Sequence, residues 1–215
     1  MSKKETQGFS LEEFTCALIG AGGLGCNIAV HLAGAGIKEL ILCDDDLISP
    51  GNLNRQFLYT KDDIGEKKVF TAAKRLEAYA PDVKITPIDI RIDTDNIPKC
   101  LRDCDMIFLA VDNNEARICI SDFCKKNRIP LVTGGIDGFY GTAYLYIPGI
   151  TPDLTQSGLT EGKKAKTNIS AAAGIIGSLQ ASTGIRYLLT KDNSLGGKIT
   201  VYDCDTFSEL TLKLK

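Results

Sequence analysis

No stretch of this 215-residue chain is apolar for long enough to cross a bilayer. It has one histidine, His31, and no Cys-x-x-Cys pair anywhere. Its formal net charge is only -2. Each shortage excludes something. Near-neutral charge argues against a protein that holds nucleic acid by neutralising phosphates. Met1 to Thr15 is polar and charged and has no apolar core of a secretory signal, so a cytoplasmic location is expected. A structural zinc site needs four nitrogen or sulfur ligands, usually with one close pair. The eight cysteines do not supply that pattern. Cys16, Cys26, Cys43, Cys119 and Cys124 lie in apolar or periodic segments, and three residues separate Cys100 from Cys104. They read as reduced, mostly buried thiols, and no zinc is expected. His31 falls mid-helix and reads as a packing or surface residue.

What the chain does have is an alternation of strand and helix signals. Residues 16–20, CALIG, are a short apolar run of the kind that forms a buried parallel strand. A glycine-rich turn follows, then a helix stopped by Gly34 and Gly36, then a strand at 39–43. Residues 66–79 are periodic and end before Pro81, which predicts a helix. Residues 83–90 read as a strand, with Pro87 pointing to an edge or a bulge. Residues 106–111 are a fully apolar strand, 114–127 a helix, and PLVTGG a strand. This β/α alternation predicts a Rossmann-like α/β fold: a mostly parallel central sheet with helices on both faces. After Gly135 the pattern changes. GTAYLYIP reads as a strand, SAAAGIIGSLQASTGIRYLL as a long small-residue helix, and KITVYD as the last strand, so a mixed or antiparallel C-terminal region is added. The small residues of that helix suit close packing against the sheet or against a second subunit. The polar stretch 149–168 is a long loop, a length that points to function or disorder. One domain over 1–215 is expected, with 1–14 as an N-terminal segment and 151–168 as a mobile crossover-type loop.

The chemistry begins at Gly20-Ala21-Gly22-Gly23-Leu24-Gly25, a G-x-G-x-x-G turn between strand and helix. Gly20, Gly22, Gly23 and Gly25 permit the tight turn and let backbone N–H groups approach a phosphate at the positive helix end. Asp44 ends the next strand, where it can accept ribose hydroxyls. Asp45 and Asp46 cap or solvate that strand end, with Asp46 able to approach the nucleotide. These features alone leave any dinucleotide or adenine-nucleotide site open. The segment GNLNRQF narrows the choice, because an NAD site has no need of Asn52 and Arg55 there. Lys68 follows near a helix start, and Asp112-Asn113 closes an apolar strand at the sheet edge where open α/β folds bind ligands. Arginine and lysine facing a triphosphate stabilise departing pyrophosphate, and a carboxylate such as Asp112 can hold magnesium. An ordinary helix N-cap is the bland alternative for Asp112.

At this point the chain resembles the ThiF/MoeB/HesA family of ubiquitin-activating-like adenylyltransferases. The resemblance runs from about Cys16 to Asp203 and rests on GAGGLG, GNLNRQF, IGEKKV, AVDNNEAR, YLYIPGITP and GIIGSLQA, in family order. It implies ATP and magnesium as cofactors and a small ubiquitin-like sulfur-carrier protein ending in Gly-Gly as partner. The carrier's C-terminal glycine is adenylylated, for thiamine or molybdopterin synthesis. It also implies a homodimer. It carries Gly22 and the glycine turn to the phosphates, Asp44 to the ribose, Asn52, Arg55 and Lys68 to phosphates and transition state, Gln56 to nearby polar contacts, and Asp112 to magnesium.

The sequence departs from the family in three places. Where one zinc-binding cysteine pair would follow GITP, the chain reads Asp153-Leu154-Thr155-Gln156. The loop 151–168 has no cysteine for thioester or persulfide chemistry, and Cys204, at a strand end, is a weak substitute. No N-terminal arginine is evident, and Lys3 and Lys4 do not replace one. Adenylylation without a covalent step on the loop is therefore expected. The alternatives are another carboxylate acceptor, peptide or tRNA-linked, and a non-catalytic nucleotide-binding partner.

Overall fold

The computed structural model describes residues 10–159 and 169–214. Lys3 and Lys4, and residues 160–168 of the expected loop, lie outside the described residues. One eight-stranded sheet runs through the rest in the order β3-β2-β1-β4-β5-β6-β7-β8. Strands β1 (Thr15–Ile19), β2 (Glu39–Asp44), β3 (Lys84–Asp89), β4 (Met106–Leu109) and β5 (Leu131–Asp137) are parallel to one another. Strands β6 (Tyr140–Tyr146), β7 (Lys198–Asp203) and β8 (Ser208–Lys213) continue the sheet antiparallel. This is the Rossmann-like order with the expected antiparallel addition. Pro87 sits on the edge strand β3, where its missing N–H breaks no ladder on the open side. One element differs from the sequence reading: β7 is not last. Ser208–Lys213 pairs along its full length with β7 although every residue of it is exposed, so no burial pattern announced it.

The apolar strands are buried on both faces, and period-two alternation divides the core into two layers. Leu18, Leu40, Leu42, Met106 and Phe108 face one layer, with helices α1 (Gly23–Gly34), α2 (Lys68–Tyr79) and α4 (Ser170–Thr190). Ala17, Ile19, Ile41, Ile107 and Leu109 face the other, with α3 (Asn114–Asn127). Helices α1 and α4 pack closely. A methyl group on Gly177 would lie 2.7 Å from the Asn27 Cβ, and one on Gly184 would lie 2.3 Å from the Phe108 ring. Gly177 and Gly184 are thus accounted for by the packing of α4 on α1 and the sheet. Among the described residues no helix is long and apolar enough to cross a membrane. Cys16, Cys26, Cys43, Cys119 and Cys124 are buried free thiols, as the sequence indicates. Burial pushes Cys26 up to about 11 and Cys43 to about 12, so they stay protonated.

Candidate active site

The first βα connection builds the floor of the site. Gly20 adopts φ +98°, and a side chain there would strike the Ala110 carbonyl at 2.6 Å. Gly25 is as constrained: its added Cβ would lie 2.0 Å from the Gly20 oxygen. Two side chains clamp the peptide between them. The Ala21 N–H donates to Asp44 Oδ2 at 2.6 Å, and the Tyr59 hydroxyl donates to the Ala21 oxygen at 2.9 Å. Gly22 and Gly23 are different. A methyl group on Gly22 would meet only the Gln56 amide nitrogen, at 3.7 Å, and one on Gly23 would meet the Arg55 stem at 3.2 Å. No side chain caps the N-terminus of α1, so its first N–H groups remain available.

An open cleft of about 820 Å³ lies over this turn at the C-terminal ends of the strands. That volume is in the range of nucleotide-sized ligand sites. Gly20, Gly22, Gly23, Asp44, Asp46, Arg55, Gln56, Lys68, Asp112 and Asn113 all line it. Residues separated by more than ninety positions are thereby brought to one surface. Gly25 shapes the turn from within α1, and Asn52 does not reach the cleft. The short helical turn Pro50–Asn52 directs the Asn52 amide back to its own start, where Oδ1 accepts the Ser49 N–H at 3.1 Å. Asn54 lines the cleft instead.

Each polar group has a defined setting. Asp44 Oδ1 accepts the Asp46 N–H at 2.8 Å, so both its oxygens hold backbone while keeping lone pairs for a hydroxyl donor. Burial raises its carboxyl above the usual range, opposed by Lys68 and the two N–H groups. Arg55 Nη1 donates to the Gly51 oxygen at 3.0 Å and to Asn54 Oδ1 at 2.9 Å, which orients the guanidinium. Lys68 is buried, not solvated, and its Nζ meets Asp46 Oδ2 at 2.6 Å. The adjacent Lys67 pairs with Asp89 at 2.9 Å. Gln56 is buried with its Oε1 unpartnered among the described residues, an unusual cost unless a ligand supplies a donor. Asp112 is exposed, and its carboxylate has no hydrogen-bond or ion-pair partner among the described residues. The N-cap of α3 is Asn113, whose Oδ1 accepts the Ala116 N–H at 2.8 Å, so that role does not fall to Asp112.

Among the polar lining residues, Asn54, Arg91, Asn114 and Arg117 were not singled out in the sequence. Arg117 is the most connected. Its guanidinium donates to the carbonyls of Val111, Gly134 and Leu159 at 2.9 to 3.3 Å. Burial lowers its pKa, opposed by the Asp112 carboxylate. Its only trace in the sequence was its place in the AVDNNEAR motif. Cys204 is remote from these groups in the sheet order, at the end of β7, and burial followed by Asp203 raises its thiol pKa. It therefore lacks the electropositive setting of a nucleophilic thiolate.

Comparisons place the chain among known proteins. The ThiF family profile matches residues 4–215. The chain is 31% identical over 192 residues to the SAMP-activating enzyme E1 of Haloferax volcanii, covering 86% of this chain and 71% of that one. It is 31% identical over 212 residues to the molybdopterin-synthase adenylyltransferase of Escherichia coli, covering 95% and 85%. It is 36% identical over 146 residues to the sulfur carrier protein ThiS adenylyltransferase of Bacillus subtilis, covering 67% of this chain and 44% of that one. Among solved structures, E. coli MccB with ATP superposes with a TM-score of 0.81 at 20% identity, over 95% of this chain and 64% of that one, a likeness of fold. The match over nearly the whole length, with the cleft assembled from the motifs described above, makes this chain a member of the ThiF family.

Proposed function

We propose that this ThiF-family adenylyltransferase uses ATP to adenylylate the C-terminal glycine carboxylate of a small ubiquitin-like sulfur carrier ending in Gly-Gly. The carrier would serve thiamine or molybdopterin synthesis. The observation that carries the reading is the convergence of Arg55, Lys68 and Asp112 on one cleft above an uncapped helix N-terminus. The residues suit ATP: the Gly22 surface is bare, the Gln56 oxygen lacks a donor among the described residues, and two cations, Arg55 and Lys68, stand in the same cleft. An oxygen of the carrier carboxylate attacks the α-phosphorus, the bond to the bridging oxygen breaks, and pyrophosphate leaves. No side-chain nucleophile or base is needed, because the attacking group is already a carboxylate. Arg55 and Lys68 stabilise the charge that develops on the leaving pyrophosphate. Asp112 would hold magnesium, which when bound neutralises phosphate charge. Asp44 would accept the ribose hydroxyls.

The chain acts as one domain in this reading, without zinc and without a covalent bond to a loop cysteine. A screen of acceptors tests it. The chain is incubated with ATP, magnesium and candidate Gly-Gly carriers, peptides and carboxylate-bearing tRNA, and pyrophosphate release is followed. Release with a Gly-Gly carrier, and not with a carrier lacking its last glycine, is the expected result. Release only with a peptide or tRNA would move the acceptor class. ATP binding with no release from any acceptor would point to a non-catalytic partner instead.

A further inference from the structure

Helix α3 carries the proposed metal ligand just before its N-terminus and grips a distant segment along one face. Arg117, Ser121 and Lys125 are spaced four residues apart and so share that face. Each holds part of 153–159. Arg117 Nε donates to the Leu159 oxygen at 3.3 Å, Ser121 Oγ accepts the Leu154 N–H at 3.2 Å, and Lys125 Nζ bonds Asp153 Oδ2 at 2.8 Å. The segment is folded on itself as well, with Leu154 fully buried and the Leu159 N–H donating to the Leu154 oxygen at 3.0 Å.

Arg117 alone among the three also reaches the cleft. Its Nη1 donates to the Val111 oxygen at 3.2 Å and, with Nη2, to the Gly134 oxygen at 3.1 and 2.9 Å. The Val111 carbonyl belongs to the peptide that leads into Asp112, so this bond fixes the backbone from which the carboxylate projects. Among the described residues every acceptor of the guanidinium is a neutral carbonyl, and they come from just past β4, from β5 and from Leu159. The donors used sit on three separate nitrogens of a rigid planar fork, a spread that a lysine ammonium, with its donors on one atom, does not reproduce.

We propose that Arg117 is a positioning residue that couples the Asp112 end of the cleft to the segment 153–159, so that a nucleotide and metal at one are felt at the other. The metal arm rests on the reading of ATP and magnesium given above; the coupling itself is a property of the guanidinium and its acceptors. Loss of a group that orients a metal ligand typically costs ten- to a hundredfold in metal affinity, which sets the size of the effect.

The test uses the full chain with manganese as probe ion and a non-hydrolysable ATP analogue. Manganese affinity is read by calorimetry and paramagnetic resonance, and backbone hydrogen exchange is followed across 153–159. In the unaltered chain the analogue with manganese slows exchange at 153–159. Arg117→Lys and Arg117→Gln are expected to bind the analogue alone within about threefold of the unaltered chain, to bind manganese at least about tenfold more weakly, and to lose the nucleotide-dependent slowing. Lys125→Met is the control: it speeds exchange at 153–159 but leaves manganese affinity unchanged. Unaltered manganese affinity or retained slowing in both Arg117 variants overturns the coupling, as does an equal loss of manganese affinity in Lys125→Met. If the Arg117 variants fail to fold, the unaltered chain decides, since no response of 153–159 to the analogue overturns the proposal. A chain that binds no nucleotide at all overturns both this proposal and the functional reading; one that binds nucleotide and manganese with the coupling absent overturns this one alone.

Discussion

Arg55 and Lys68 are two cations with different constraints, and that difference sets what their loss should do. Arg55 is oriented by a neighbouring asparagine and a carbonyl at the edge of the cleft, whereas Lys68 is buried against Asp46. Arg55→Ala should lower carrier-dependent pyrophosphate exchange by about 10²–10³, the usual scale for one pre-placed electrostatic donor, with an unchanged melting temperature. Lys68→Met should lower exchange similarly but also unsettle Asp46, seen as a lower melting temperature. A second expectation concerns pH. Burial pushes the Asp153 carboxyl up, but the Lys125 ammonium and the Gln156 N–H outweigh it and hold the group below its usual value. A depressed folded pKa means the pair stabilises above the unfolded value, near 4, and that this is lost as pH falls through the folded one. The melting temperature of Asp153→Asn should therefore lie below that of the unaltered chain by a few degrees at pH 6. The gap should narrow as pH drops below about 4, and a gap as wide at pH 3 as at pH 6 would contradict the assignment. At this scale the sequence revealed most of the cleft, because glycines, charges and amides stand at recognisable spacings beside strand ends. It did not reveal Arg117, whose acceptors lie 6, 17 and 42 positions away. Nor did it separate Asn52 from Asn54, since a single helical turn decides which amide faces the cleft.

The glycine turn separates a structural from a functional requirement within six residues. Gly25→Ala places a methyl group 2.0 Å from a backbone oxygen, and overpacking of this kind costs about 1–3 kcal/mol or more. Gly22→Ala meets only a side-chain amide at contact distance, in an extended backbone with φ -83°. Denaturant titration should show Gly22→Ala within about 0.5 kcal/mol of the parent and Gly25→Ala well below it. Calorimetric titration should show that Gly22→Ala nevertheless weakens ATP binding, because the added methyl fills surface that the phosphates need. Equal destabilisation by both would mean that Gly22 serves the fold and not the ligand. Strands and helices were legible because burial imposes their periodicity. Strand β8 was not, because a fully exposed ribbon needs only backbone pairing with β7 and leaves no apolar alternation to read.

At the scale of the whole molecule, the parallel strands carry the cleft at their C-terminal ends and the antiparallel strands β6 to β8 extend the sheet. Two of the small residues of α4, Gly177 and Gly184, are taken up by Asn27 and Phe108 of the same chain, which leaves the exposed Ala171 and Ser182 as the small residues a second subunit could meet. We propose the dimer on the resemblance alone; sedimentation should give twice the 23.2 kDa chain mass at micromolar concentration, and a monomer throughout would remove it. The absence of zinc is a separate expectation, checked by elemental analysis of the purified chain: less than about one zinc per ten chains is expected, and stoichiometric zinc would overturn it. The central claim is the chemistry of the cleft, and the exchange of radiolabelled pyrophosphate into ATP tests it most directly. With a Gly-Gly-ended carrier and magnesium present, label should enter ATP in the unaltered chain and fall by about 10²–10³ in Arg55→Ala. Label that enters without any carrier, or never enters with any Gly-Gly carrier while ATP still binds, would contradict adenylylation of a carrier carboxylate.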